Sequence, residues 1–180
     1  MKLTTLAAIV AFSVTSINAL CLLERDATSL ATNFGKLVSN YSEALANQTL
    51  TPDFQDYSES VNTLFDAGGD SPIPLLAETF SSRAAFEGAS AAQPAVPFAV
   101  KQVWHNCDTI TVRWESAQSP KPVIGISVMQ TRMSFSFPNP PVWQISEVWG
   151  EFDSGAWLTN LGILKQAAAG KMKRELAFQA

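Results

Sequence analysis

The first third of the chain carries apolar side chains at helical spacing. From Ala27 to Leu45 they recur every three or four positions, and the opposite face carries polar residues that include Asn33 and Lys36. This spacing predicts one amphipathic helix of about five turns, with Asp26 as its cap. The apolar stripe of this helix is predicted to pack against the core.

Shorter segments complete a helical half of the chain. Pro52 can open a second short segment over residues 53–65, and a turn-rich stretch follows over residues 66–74. The hydroxyl of Ser82 can satisfy free backbone N–H groups, which predicts a short capped helix directly after it. Residues 89–97 are predicted to link this half to the rest of the chain.

In the second half, the apolar positions change to the alternation typical of strands. The β-prone runs 98–105 and 109–116 predict a hairpin, and residues 122–135 predict a long third strand with a bend at Gly125. A proline-rich turn follows, and residues 142–154 predict a fourth strand. Helices first and strands second predict an α+β fold, with the helices packed on one face of a curved antiparallel sheet.

Alternation along the fourth strand groups its residues by face. One face is predicted to carry Trp143, Ile145, Glu147, Trp149 and Glu151, and the other to carry Val142, Gln144, Ser146, Val148 and Phe152. Alternation indicates which residues share a face but not which face is concave. After Gly155, the apolar run 156–164 is predicted to be a last short strand or a covering turn.

The N-terminus has the three-part pattern of a secretory signal peptide. Lys2 supplies a positive charge, residues 3–14 form an apolar run too short to span a bilayer, and residues 15–19 end in a small side chain. Cleavage is predicted after Ala19. The expected organisation is a signal peptide (1–19), one domain (20–165) and a C-terminal tail (166–180), and the mature protein is expected to be secreted and extracellular.

Two cysteines and two glycosylation sequons fit this compartment. Cys21 and Cys107 both follow the predicted cleavage site, and an even pair in an oxidising environment is usually bridged, so one disulfide is predicted. N-x-[ST] sequons predict glycosylation at Asn40 and Asn47, on the polar side or at the end of the first helix.

Composition and charge narrow the choice of partner. The 180 residues are 47% hydrophobic, which fits one globular domain rather than a disordered chain. The formal charge is −4 and no basic run occurs, so neither nucleic acid nor an anionic membrane surface is an expected partner. The expected partners are a small hydrophobic ligand and a second copy of the chain in a homodimer.

Several local patterns resemble fungal secreted proteins of the nuclear transport factor 2-like superfamily. They occur in the expected order along the chain, at Cys21, 53–62, 80–83 with Phe86, 107–110, 123–127 and 151–157. The resemblance implies a cone-shaped roll, in which a curved antiparallel sheet wraps over helices and leaves a cavity at the open end. Most such fungal proteins have no assigned activity.

Enzymes of this superfamily suggest which residues could be catalytic. A ketosteroid isomerase pairs aspartates with a tyrosine, and a scytalone dehydratase uses histidines, an aspartate and tyrosines. The single histidine, His105, cannot supply the dehydratase set, whereas Tyr41 and Asp56 could take the isomerase roles. Tyr41 also continues the apolar stripe of the first helix, and no motif fixes the geometry of the pair.

His105 alone does not indicate a hydrolase or a metal site. No G-x-S-x-G elbow accompanies it, and one histidine beside two bridged cysteines is too small a set of ligands for a metal. Neither a metal nor a cofactor is expected.

Carboxylates beside aromatic rings are the better candidates for acid–base chemistry. Asp53 and Asp56 lie near Tyr57, and Glu147 and Glu151 flank Trp149. A carboxylate held against a tryptophan in a dry cavity would have a raised pKa and could act as a general acid or base. The simpler interpretation is that such acids are solvated and that the rings fill the core.

The leading hypothesis is a secreted, non-catalytic protein that binds an apolar ligand in a pocket. Alternatives are a cofactor-free lyase or isomerase and a protein–protein interaction module that uses the outer sheet face. An open pocket lined with carboxylates would favour the enzyme, and a filled pocket beside an exposed apolar sheet face would favour the module. The candidate pocket residues are Tyr57, Trp104, Trp143, Glu147 and Trp149.

Overall fold

A computed structural model describes residues 21–69, 72–135, 138 and 140–165. The predicted signal peptide and C-terminal tail lie outside the described residues. Within the described part, five helices and five strands form an α+β fold, as the sequence predicts. The helices are α1 (Glu24–Ser39), α2 (Glu43–Thr49), α3 (Glu59–Ala67), α4 (Arg83–Ala92) and α5 (Ser154–Asn160), and the strands are β1 (Leu50–Tyr57), β2 (Ala99–His105), β3 (Thr109–Ser116), β4 (Val123–Ser134) and β5 (Val142–Phe152).

The sheet has the order β1-β5-β4-β3-β2 and is curved and open. The predicted hairpin, long third strand and fourth strand form four antiparallel strands, β2 to β5. The first strand, β1, pairs with β5 in the parallel direction, so the sheet is mixed rather than purely antiparallel.

The first strand lies where the sequence suggested a further segment of the helical half. Phe54 and Asp56 on this strand, and Ser58 directly after it, occupy alternate positions, and all three are buried. Pro52 fits because β1 is an edge strand, where a residue without an N–H donor is tolerated. Only after Ser58 does the chain turn into α3, with the serine hydroxyl accepting from Val61 N at 3.1 Å.

The helices also differ from the predicted bounds. The predicted five-turn helix is divided, because Ser42 caps a new helix, α2, through a hydrogen bond from Leu45 N. Asp26 lies in the first turn of α1 rather than at its cap, which is Leu23. Ser82 caps α4 as predicted, and this helix continues to Ala92, into the predicted linker.

The C-terminal apolar run, predicted as a strand or a covering turn, begins as helix α5. Asp153 caps this helix by accepting from Ala156 N at 2.8 Å. The capping carboxylate follows β5 directly, so the chain leaves the sheet and enters the helix without a loop.

A β-bulge changes the faces of β5. The register with β4 shifts between Thr131, opposite Ile145, and Gln130, opposite Glu147. As a result Trp143 and Ile145 pack on the core, whereas Glu147, Trp149 and Glu151 lie on the outer face. The prediction that these five residues share one face is therefore wrong, because a bulge reverses strict alternation.

The predicted disulfide joins Cys21 to Cys107, 86 positions apart. It ties the chain just before α1 to the turn of the β2–β3 hairpin. Leu22 N donates to the carbonyl oxygen of Cys107 at 2.8 Å, and His105 Nε2 lies 3.1 Å from a carboxylate oxygen of Glu24. The bridge thus fixes the helical layer to the far edge of the sheet.

Gly125 leaves room for the ring of Trp114 on the inner sheet face. A Cβ at this position would lie 2.2 Å from an atom of the Trp114 ring, well inside contact distance. We expect Gly125→Ala to lower the free energy of unfolding by about 1–3 kcal/mol through overpacking, measured by urea denaturation. Gly88→Ala, where a Cβ meets nothing within 4 Å, is the matched control. Equal stability of Gly125→Ala and the unchanged protein would contradict this account.

Candidate functional site

A cavity of about 740 Å³ lies between the inner sheet face and the helices. Its apolar lining comes from helices α1, α3, α4 and α5, from the inner sheet face and from residues 94–98. The described residues also contribute six polar side chains to the lining: Asp56, Ser58, Ser90, Gln93, Gln118 and Ser127. The inside of the cone is therefore an open, mainly apolar chamber with few polar groups.

One wall of the cavity is a run of aromatic rings. The Trp114 ring stacks on Phe98 with centroids 4.8 Å apart and lies 5.7 Å from Phe152, whose ring lies 5.2 Å from Trp157. Trp114 Nε1 donates to Ser127 Oγ at 3.1 Å, so the indole has a partner although it is buried. This hydrogen bond and Gly125 beneath the ring hold the wall in one position.

The opposite wall surrounds β1 with phenylalanine rings. Phe86 of α4 contacts Phe54 and Phe80 edge to face, with centroids 5.6 and 5.7 Å apart. Phe80 also pairs with Asp56 through the backbone: Asp56 N donates to Phe80 O at 2.9 Å, and Phe80 N donates back at 3.2 Å. The free edge of β1 is thereby covered where Asp56 enters the cavity.

Among the described residues, Asp56 is the one acidic residue that lines this cavity, and only 7% of its surface is exposed. Within the described part of the chain, no group donates a hydrogen bond to its carboxyl. Burial raises the pKa of Asp56 from its ordinary value of 3.8 to about 7, and the negative charge of Glu151 adds to the rise. At neutral pH the carboxyl is thus present in both protonation states, as a general acid or base requires.

Glu151 lies on the outer face of β5, outside the cavity lining, and its carboxylate is held by the start of α3. Its carboxylate accepts from Glu59 N and Ser60 N, both at 2.9 Å, and from the Ser60 hydroxyl. These donors stabilise the anion at a helix N-terminus. A fixed negative charge is therefore placed near Asp56 without entering the cavity.

The pKa of Asp56 is expected to fall when Glu151 is replaced by glutamine. Removing this charge removes the smaller cause of the raised pKa and leaves the larger cause, burial, in place. The expected shift is therefore downward and partial, measured by ¹³C NMR titration of the Asp56 carboxyl. Glu78→Gln, an acidic neighbour of Tyr57 that does not perturb Asp56, is the control. An unchanged pKa in Glu151→Gln would count against the coupling.

None of the five candidate residues from the sequence lines this cavity in the part of the chain that the structure describes. Tyr57 and Trp149 stack with centroids 6.0 Å apart on the outer face, beside a depression of about 250 Å³. Glu147 lies on the same face, two residues before Trp149 on β5. Trp143 packs against the core. That these five residues form a ligand site remains a prediction.

The outer sheet face carries an exposed apolar row. Trp104, Thr111, Val128, Trp149 and Tyr57 pair successively across the five strands. Trp104 is 50% exposed and Trp149 is 42% exposed. The predicted homodimer and the interaction-module hypothesis would both use this face, and both remain predictions.

The isomerase pair suggested by the resemblance is not assembled as such. Asp56 lines the cavity, whereas Tyr41 packs against the core and is not part of the lining. The sequence reasoning did not select Trp114 or Ser127, which face the cavity from neighbouring strands. Alternation could have grouped each with its own strand face, but only the packing of helices shows which face is covered.

The described segments hold neither a cluster of metal ligands nor a membrane-spanning helix. No group of three or more His, Cys, Asp and Glu residues there could hold a metal ion. None of the helices in those segments is long and apolar enough to cross a membrane.

Fold and cavity together define an α+β cone with an internal pocket. Residues 20–164 match the family model for the NTF2-like domain. The chain therefore belongs to the NTF2-like family. The comparison with curated proteins finds no match to this sequence.

Three solved structures from bacteria share this fold. IdmH, a candidate polyketide cyclase from Streptomyces antibioticus, is 12% identical with a TM-score of 0.51, covering 76% of this chain and 98% of its own. A candidate polyketide cyclase from Bacillus cereus ATCC 10987 is 16% identical, with a TM-score of 0.52 and coverage of 78% and 83%. A protein with a ketosteroid isomerase-like fold from Catenulispora acidiphila DSM 44928, in complex with trimethylamine, is 13% identical, with a TM-score of 0.51 and coverage of 74% and 92%. At these identities the likeness shows the fold alone.

Proposed function

We propose that this protein binds a small apolar molecule inside the cone. The observation that carries the proposal is the cavity itself, about 740 Å³ in volume and lined mainly by aliphatic and aromatic side chains. Chambers of this size with a few polar groups are the usual form of small-molecule sites. Filling the cavity would bury apolar surface of the ligand, which favours binding roughly in proportion to the area buried.

A bulky side chain inside the cavity is expected to weaken this binding strongly. Ala89 lines the cavity from α4, and Ala91 lies on the exposed side of the same helix. We expect Ala89→Trp to weaken binding of the apolar dye N-phenyl-1-naphthylamine at least about tenfold, while Ala91→Trp binds it like the unchanged protein. Dye fluorescence measures both affinities. Equal affinities of the two variants would refute a site in the cavity.

A second candidate function, a cofactor-free lyase or isomerase, is supported by Asp56. A buried carboxyl with a pKa of about 7 can take a proton from one carbon or oxygen of a bound molecule and return it to another. The apolar walls would exclude water from the transfer. The names of two structural neighbours as candidate polyketide cyclases agree with such chemistry on an apolar carbonyl compound.

Proton abstraction can be tested with a simple ketone. In D₂O, the protein is expected to accelerate exchange of the acidic α-protons of 2-tetralone, followed by ¹H NMR, and Asp56→Asn is expected to remove the acceleration. Binding of the naphthylamine dye to Asp56→Asn is the control for an intact cavity. Acceleration that survives in Asp56→Asn would exclude this role for the carboxyl, and binding without any acceleration would leave the simple binding function.

The proposed setting is extracellular. The signal-like N-terminus supports it, and so does the Cys21–Cys107 disulfide, since such bonds persist in oxidising compartments. The sequon asparagines Asn40 and Asn47 are both exposed, at the end of α1 and in α2, where a glycan would not enter the core. We expect protein secreted from a eukaryotic host to lose mass on treatment with peptide-N-glycosidase; an unchanged mass would contradict glycosylation.

A further inference from the structure

We propose that the cavity recognises its ligand at two polar points, Asp56 and Ser127. The ligand class is then an elongated, rigid apolar molecule that carries an oxygen function near each end. This inference rests on the proposed binding function and adds the ligand's polar pattern to it.

The first point is the Asp56 carboxyl. It is nearly buried, it lines the cavity, and within the described residues it has no hydrogen-bond donor. A buried polar group without a partner costs free energy, and a ligand hydroxyl placed against the carboxyl would remove that cost. Asp56 therefore favours a ligand with a hydroxyl, or another group able to share a proton, at one end.

The second point is the Ser127 hydroxyl on β4. A serine hydroxyl can accept hydrogen bonds and donate one. Its oxygen accepts from Trp114 Nε1 at 3.1 Å, and among the described residues its own proton has no acceptor. Ser127 is only 4% exposed and lines the cavity, so an acceptor oxygen on the ligand would complete its hydrogen bonding.

The register of the sheet sets the distance between the two points. Asp56 pairs with Val148 on β5, and Ser127 pairs with Gly150 on the same strand. Two strand spacings and a step of two residues along the strand separate their Cα atoms by about 12 Å. Because both side chains point into a concave face, the ligand oxygens they contact would be on the order of 10 Å apart.

Gly150 keeps the path between the two points open. It lines the cavity between Asp56 and Ser127, and a Cβ there would lie 3.3 Å from Ser127 Oγ and 3.8 Å from a methyl group of Val148. Without this side chain, the ligand can lie flat on the sheet. Two linked aromatic rings with an oxygen at each end match this span.

A set of biphenyls tests the second point without changing the protein. The probes are 4,4′-dihydroxybiphenyl, 4-hydroxy-4′-methoxybiphenyl and 4-hydroxy-4′-methylbiphenyl, measured by isothermal titration calorimetry at pH 7. The first two carry an acceptor oxygen at the far end and are expected to bind about five times more tightly than the methyl compound, the gain typical of one neutral hydrogen bond. Equal affinity of all three would overturn the proposal.

Variants then assign the gain to residues. Ser127→Ala is expected to reduce the advantage of the dihydroxy over the methyl compound to less than about twofold. Asp56→Ala is expected to remove the advantage of 4-hydroxy-4′-methoxybiphenyl over 4-methoxybiphenyl, while 4-methoxybiphenyl keeps its advantage over biphenyl at Ser127. Thermal unfolding checks that each variant is folded, and the ligand series alone decides the question if Ser127→Ala is not. An advantage unchanged in folded Ser127→Ala would refute the second point.

The same data distinguish failure of two-point recognition from failure of the proposed binding function. Binding of all biphenyls with no effect of the far-end oxygen would overturn two-point recognition and leave the apolar cavity as a binding site. No binding of any biphenyl, together with no binding of the naphthylamine dye, would overturn both.

Discussion

Replacing Asp56 with asparagine is expected to remove most of the pH dependence of the free energy of unfolding between about pH 4 and pH 7. Burial raises the pKa of this carboxyl from 3.8 to about 7 in the folded protein. Between these values the folded protein holds a proton that the unfolded chain has released, so stability falls as the pH rises. Because of this one group, the free energy of unfolding is about 4 kcal/mol higher below pH 4 than above pH 7.

Urea denaturation at a series of pH values measures this effect. Asparagine has nearly the same shape and no charge to desolvate, so Asp56→Asn should be more stable than the unchanged protein at pH 8. Asp53→Asn is the control on the same strand: Asp53 is exposed and paired with Arg132. The same fall in stability from pH 4 to pH 7 in Asp56→Asn would show that another group titrates.

Loss of the Cys21–Cys107 disulfide is expected to have the second large effect on stability. The bridge closes a loop over 86 positions, and the loop-entropy account gives about 4–5 kcal/mol for such a loop as an upper figure. We expect the double variant Cys21→Ser, Cys107→Ser to lose several kcal/mol, because both cysteines are exposed and the change leaves no cavity.

Reduction of the unchanged protein is the matched control. With dithiothreitol, its urea midpoint should fall to that of the double variant, whose own midpoint should not respond to the reductant. Identical midpoints for the oxidised protein and the double variant would show that the bridge contributes nothing. Two alkylatable thiols in the non-reduced secreted protein would refute its formation.

Local spacing predicted much of the fold because most helices and strands form where the hydrophobic pattern and capping residues of their own segment favour them. The hairpin and the long strands alternate, and Ser82 caps a helix by a mechanism that acts within one turn. The first strand was missed because its pairing with β5 depends on residues far away in the chain. An edge position tolerates Pro52, but nothing in the local sequence places that residue at an edge.

The candidate site was harder to predict, for two physical reasons. Alternation does not indicate which face of a strand the helices cover, so Trp149 was chosen and Trp114 was not. The bulge beside Glu147 then separates Trp143 from Trp149, which strict alternation had grouped together. Asp56 was noted as a candidate acid, but its raised pKa arises from burial by several distant segments.

The central claim is that the cavity, and not the outer sheet face, is the ligand site. The most direct test is methyl NMR of isoleucine, leucine and valine during titration with N-phenyl-1-naphthylamine. Val61 and Leu64 line the cavity, and Ile124 and Ile126 are exposed on β4. We predict shifts at Val61 and Leu64 with none at Ile124 and Ile126. Shifts confined to Ile124 and Ile126 would contradict the account and favour the outer face.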